Sequence, residues 1–158
     1  MIRSIRAAAA AAVLALACGP AFAGDWQAAS VDDESSLAFG IDMTSITGSS
    51  DLRRASVVQA FRDSRELPNG STIDYMVATI EFDCRGKTHG IVEIRGFSAE
   101  GREIAKEGNG RAMPVEPGST MEAVANIVCN GGRGQGSFPE AVDWARAIRS
   151  TLKGETAT

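Results

Sequence analysis

The chain has 158 residues, with 20 Asp and Glu against 16 Lys and Arg, three cysteines and one histidine. This acidic balance, without any run of basic residues, excludes a nucleic-acid partner, whose phosphates demand clustered Lys or Arg. A lone imidazole and no C-x-x-C pair also speak against a zinc set.

The amino end reads as an export leader. Arg3 and Arg6 supply a positive start, Ala7 to Ala17 an unbroken apolar run, and Ala21-Phe22-Ala23 the small-x-small pattern of signal peptidase. Residues 1–23 are therefore expected to be removed between Ala23 and Gly24. The apolar run falls short of the ~20 residues that a spanning helix needs, and no later stretch reaches that length. Leu14 to Cys18 offers an alternative, a lipobox in which Cys18 would anchor the protein in the outer membrane. Ala15 and Leu16 stand in swapped order for that signal, so plain cleavage fits better.

Loss of Arg3 and Arg6 leaves 14 Lys and Arg against 20 Asp and Glu, a balance of −6, and only two cysteines. In an oxidising compartment Cys84 and Cys129 are expected to form one disulfide; metal ligation and a reactive thiol are the rival readings. About 135 residues suffice for a single core, so residues 24–153 are expected to form one domain, with 154–158 a frayed tail.

Along the mature chain, Trp26 to Val31 is short and mixed, and Asp32-Asp33-Glu34 marks a polar turn. Leu37, Phe39 and Ile41 alternate with small or polar neighbours as in a half-buried strand. Gly48 to Asp51 is a turn, Arg54 to Arg62 a β-rich run, and Leu67-Pro68-Asn69-Gly70 a strong turn signal. In the strand from Ile73 to Cys84, Met76, Ala78, Ile80, Phe82 and Cys84 share one face. The other face begins with Tyr75 and Val77 and turns polar at Thr79, Glu81 and Asp83. Thr88 to Phe97 and a short run near Ile104 follow after tight connections, which force antiparallel pairing.

Gly108 to Gly118 reads as irregular. Ser119-x-x-Glu122 is a capping box opening a helix with Met121, Val124, Ala125 and Val128 on its apolar stripe, ended by Asn130-Gly131. A second box, Ser137-x-x-Glu140, predicts a helix over about 138–153 with the stripe Ala141, Ala145, Ile148 and Leu152. The fold expected is α+β: an antiparallel meander of about six strands with one or two C-terminal helices packed on it and one disulfide.

Few residues carry chemistry. The loop Gly131 to Gly136 precedes a helix, but it follows a helix and lacks the Gly-Lys-Ser/Thr ending of a phosphate loop, so it reads as a flexible hinge. His89 has no nucleophile or elbow motif nearby and reads as a surface or edge histidine. Asp32-Asp33-Glu34 lacks the alternating ligands of a calcium loop. Glu81 and Asp83 read as the wet face of a half-exposed sheet. No catalytic set, cofactor site or metal site is expected.

Trp26, the run Phe39-Gly40-Ile41-Asp42-Met43-Thr44-Ser45-Ile46, Glu81-Phe82-Asp83-Cys84, and Pro117-Gly118-Ser119-Thr120 opening a helix that reaches Cys129 together resemble the surface-adhesin protein E family of small proteobacterial envelope proteins. The similarity covers roughly residues 26–129. It implies an antiparallel sheet with a packed helix, a Cys84–Cys129 bridge, a place outside the cytoplasm, and binding of macromolecular partners instead of catalysis. The family's founding member is an outer-membrane lipoprotein that attaches to host matrix proteins. Here the lipobox is poor, and the Gly-rich loop and last helix lie beyond the shared region. Host adhesion itself does not carry over, nor does any ligand-contacting residue.

The function expected is therefore a non-catalytic binding module of the periplasm or cell surface, docking an envelope or extracellular matrix protein or a glycan. Two alternatives stay open. One is a structural or accessory periplasmic protein whose last helix packs on a partner or on a second copy as a homo-oligomer. The other is a small hydrolase or inhibitor with a cleft near His89.

Overall fold

In the computed structural model, residues 23–155 are described, apart from 33, 35 and 109. The expected leader, with Cys18, lies outside them except for Ala23. Residues 26–108 are strand-rich: β1 (Trp26–Asp32), β2 (Leu37–Asp42), β3 (Thr47–Gly48), β4 (Leu52–Glu66), β5 (Thr72–Asp83), β6 (Thr88–Phe97) and β7 (Glu103–Gly108). A short β8 (Met113–Pro114), helix α1 (Thr120–Asn130), β9 (Gln135–Phe138) and helix α2 (Ala141–Leu152) follow.

Every strand pair is antiparallel, in the order β7-β6-β5-β4-β2-β1-β9, with β3 on β4 and β8 on β6. The α+β class and the meander hold, with nine strands among the described residues instead of about six. Strand β4 outruns the expected Arg54 to Arg62, because its ladder with β5 resumes beyond a register shift and reaches Glu66 opposite Thr72.

Period-2 alternation sends the two halves of the core to opposite faces. Neighbouring Val57 and Val58 are both buried, in different clusters. On one face Ile41, Val57, Ala78, Ile80 and Phe82 pack under Val124, Ile127 and Val128 of α1. On the other, Ala38, Val58, Ala60 and Tyr75 pack under Trp144, Ala145 and Leu152 of α2. Gly40 makes the second docking possible, since a Cβ there would come within 2.5 Å of the Trp144 indole.

The Cys84–Cys129 disulfide, with Cα atoms 5.5 Å apart, ties the end of β5 to the last turn of α1. Arg53 on β4 supports the same end, donating from Nη1 to the Val128 carbonyl at 2.9 Å, one of the acceptors a helix end leaves over.

Two expectations fail at the Gly-rich segment. It is not a hinge: Gln135–Phe138 forms β9, paired with β1 through Trp26↔Phe138 and Ala28↔Gln135. Gly134 permits the approach, because a Cβ there would collide with the Ala28 carbonyl, and its N–H donates to Gln27 Oε1 at 3.1 Å. Nor does Ser137 cap the last helix. Its hydroxyl donates to Asp25 Oδ1 at 2.7 Å, and α2 starts at Ala141 behind Glu140, which makes no side-chain cap. The open edge of β1 captured the segment that the helix pattern claimed. The first capping box does form, with Glu122 N–H donating to Ser119 Oγ at 3.1 Å and the Glu122 carboxylate receiving Gly118 N–H at 2.7 Å.

Candidate functional site

Within the run Phe39 to Ile46, the motif Asp42-Met43-Thr44-Ser45 proves to be a turn. Asp42 Oδ1 accepts from the backbone N–H of Thr44 and of Asp25, both at 3.0 Å, capping the 3-10 turn Met43–Ser45. Ser45 Oγ donates to the Asp42 carbonyl and accepts from Ser56 N–H. With its side chains so engaged, the motif shapes the β2–β4 connection.

His89 is not at the surface. It is 8% exposed on β6, opposite Phe82 on one side and Met113 on the other, with its ring stacked against Phe82 at 6.4 Å between centroids. The sequence reading missed this because β8, only two residues long, covers the position. Burial pushes the imidazole pKa down, and Nδ1 has no hydrogen-bond partner. The imidazole is thus held neutral in the sheet, at the wall of a cleft of ≈ 280 Å³ that Glu81, Asp83 and Thr88 also line. Among the described residues, no group of three His, Cys, Asp or Glu side chains is placed to hold a metal.

Glu81 and Asp83 lie on the stretch of sheet that α2 leaves uncovered. Glu81 pairs with Arg54 at 2.8 Å, and Asp83 accepts from Gly86 N–H at 2.6 Å. Farther along, Glu93 bridges Arg95 and Lys106 at 2.6 and 2.8 Å. The Lys106 and Arg95 hydrogen bonds hold the Glu93 carboxyl below its usual range. Glu81 and Glu93 are thus matched by cations, which leaves these two little for a partner to complement.

The face of the molecule at β1 differs. Strand β9 pairs only with Trp26 and Ala28, so Ala29 to Val31 has β2 on one side and no described strand on the other. Beside this edge runs a groove of ≈ 900 Å³, with Ser30, Val31, Asp32 and Glu34 on one wall and the α1 start, including Ser119 and Glu122, on the other. No Lys or Arg lines it. Val31 is 47% exposed, among the most exposed large apolar side chains of the described residues. A second cleft of ≈ 270 Å³ lies beside the disulfide, between Lys87 and Thr88 of the β5–β6 turn and Asn126 and Asn130 of α1. Residues 26–31 gave no hint of the open edge in the sequence, because Trp26 and Gln27 are buried where β9 covers the strand and Val31 is exposed where it does not.

The sequence model of the surface-adhesin protein E family matches residues 26–130. Among curated proteins no sequence matches. Among solved structures, the crystal structure of protein E from non-typeable Haemophilus influenzae superposes with a TM-score of 0.43 at 13% identity, covering 75% of this chain and 83% of that one.

Proposed function

The chain belongs to the surface-adhesin protein E family, and from that premise we propose that it is an exported, adhesin-like module that docks an extended, basic segment of a partner protein along β1. Membership places it with adhesin-like surface proteins. Export is supported by the leader pattern, and cleavage after Ala23 would leave Gly24 as the first residue, where its nitrogen already donates to the Pro139 carbonyl at 2.9 Å. Its role would be to bind, without catalysis, cofactor or metal.

The observation that carries the docking reading is the half-open β1 edge beside an acidic groove. A strand edge with spare N–H and C=O groups is a template for a further strand, which supplies affinity through the main chain while flanking side chains choose the sequence. Glu34 and Glu122 line this groove, and no Lys or Arg does, so electrostatics favour Lys or Arg on the partner. The other edge strand, β7, carries Glu103, Lys106 and Glu107, the alternating charges that discourage edge pairing.

A photo-crosslinking residue at Val31, compared with ones at the equally exposed Leu52 and Met113, tests this in cells producing the protein. Adducts to another envelope or matrix protein from Val31 alone, abolished by Glu34→Lys, support the docking site. Equal adducts from all three positions, or none from Val31, remove it. Adducts to the chain itself would favour a self-assembling accessory protein.

A further inference from the structure

The α2 face holds a feature that the docking site does not use and that lies largely outside the family's matched span. Between α2 and the β6–β7 turn is a cavity of ≈ 130 Å³, lined by Tyr75, Arg146, Arg149, Ser150, Lys153 and Glu155 together with apolar Val142 and Ala145. Arg146, Arg149 and Lys153 recur at intervals of 3 and 4, so they project from one side of the helix. In a chain with excess acid, three cations on one cavity are a local reversal.

These groups differ in how far they are committed. Arg149 is occupied: it pairs with Asp74, and its Nε donates to the Phe61 carbonyl at 2.9 Å. Arg146 meets Asp143 at 3.2 Å but is largely in solvent, with N–H groups to spare. Lys153 makes no ion pair among the described residues. Tyr75 is 4% exposed, stacked on Phe97 at 5.1 Å, and its hydroxyl meets no hydrogen-bonding partner among them. Burial, only partly countered by Arg146, raises its pKa to about 12, so it stays a donor. Glu155 is the one carboxylate on the lining, and Ser150 donates to it at 3.4 Å.

We propose that this cavity binds a small oxyanion group, a carboxylate or sulfate such as an acidic sugar carries, held by the Tyr75 hydroxyl, Lys153 and Arg146. The Tyr75 side chain is buried up to the cavity it lines, and its hydroxyl, without a partner among the described residues, is a donor that a ligand oxygen can take over from water. The size agrees. The cavity is roughly ten times the ~10–15 Å³ that one water needs and well below the ~300 Å³ at which pockets for larger ligands begin. It takes the acidic group and leaves the rest of the ligand outside. Glu155 lines the same cavity, and its carboxylate would compete with such an anion.

The cavity and the β1 groove lie at different places, so failure of either leaves the other standing. The test titrates sodium sulfate and glucuronate, each against sodium chloride at equal ionic strength, into the mature protein and follows NMR amide shifts. Saturable shifts at residues 146–155 in either arm are expected, and the tighter arm identifies a free or a sugar-borne anion. Tyr75→Phe keeps the stacked ring and removes only the hydroxyl. It should leave the melting temperature unchanged or raised while weakening binding about tenfold, the range of a hydrogen bond to a charged group. Lys153→Ala should weaken binding similarly, and Glu155→Gln should strengthen it. Shifts equal to those in chloride, or affinity indifferent to both Tyr75→Phe and Lys153→Ala, would overturn the proposal.

Discussion

Replacing both half-cystines, Cys84→Ala with Cys129→Ala, should cost a large share of a typical domain's margin. The bond closes 46 residues, counting both ends of a separation of 45. For a loop of that length the chain-entropy account gives about 4 kcal/mol at room temperature, against a total stability of ~5–15 kcal/mol for domains of this class. The native state should lose little else, since Val124, Ile127 and Val128 still bury α1 on the sheet and Arg53 still holds its last turn. Guanidinium unfolding followed by Trp26 and Trp144 fluorescence reads the difference, because both indoles are buried. A loss of about 3–4 kcal/mol with a steeper denaturant dependence is expected, as the freed unfolded chain expands. A loss under about 1 kcal/mol at unchanged slope would refute the reasoning: the bond would then not be restraining the unfolded ensemble.

Three further outcomes follow from particular contacts. Gly40→Ala drives a methyl group into the Trp144 ring and should destabilise by about 1–3 kcal/mol, read by thermal melting; an unchanged melting temperature would mean α2 is not docked there. Ser119→Ala should cost about 1 kcal/mol as a lost cap, while Ser137→Ala should leave the helicity of α2 intact, a contrast that circular dichroism resolves. Because burial lowers the His89 pKa, the folded state favours the neutral ring. Its contribution is complete above the unfolded value near ~6.5 and is lost as pH falls through the lower folded value. Unfolding midpoints from pH 7 to 4 should therefore decline more steeply in the wild type than in His89→Gln, and parallel curves would deny the histidine this role.

What was legible in the sequence were features written in local pattern. The alternation from Met76 to Cys84, the Ser119 cap and the paired cysteines each have one dominant physical reading, and each holds. The failures lie where a distant edge overrides a local signal. Ser137 and Glu140 satisfy a helix-cap template, yet Asp25 and the β1 backbone offer residues 135–138 better partners from more than a hundred residues away. His89 looks peripheral until a two-residue strand covers it. The β1 groove is the same problem in reverse. That Ala29 to Val31 has no second strand beside it among the described residues depends on where β9 stops, and nothing in WQAASVD encodes that.

The docking claim meets its most direct test in amide hydrogen exchange of the mature protein, with and without an extended Lys/Arg-rich peptide, using a Glu-rich peptide of equal length as control. Strand addition predicts slowed exchange within Ala29 to Val31 for the basic peptide alone, with β7 unchanged. Exchange at β1 that ignores the basic peptide, or protection appearing at β7 instead, would contradict it.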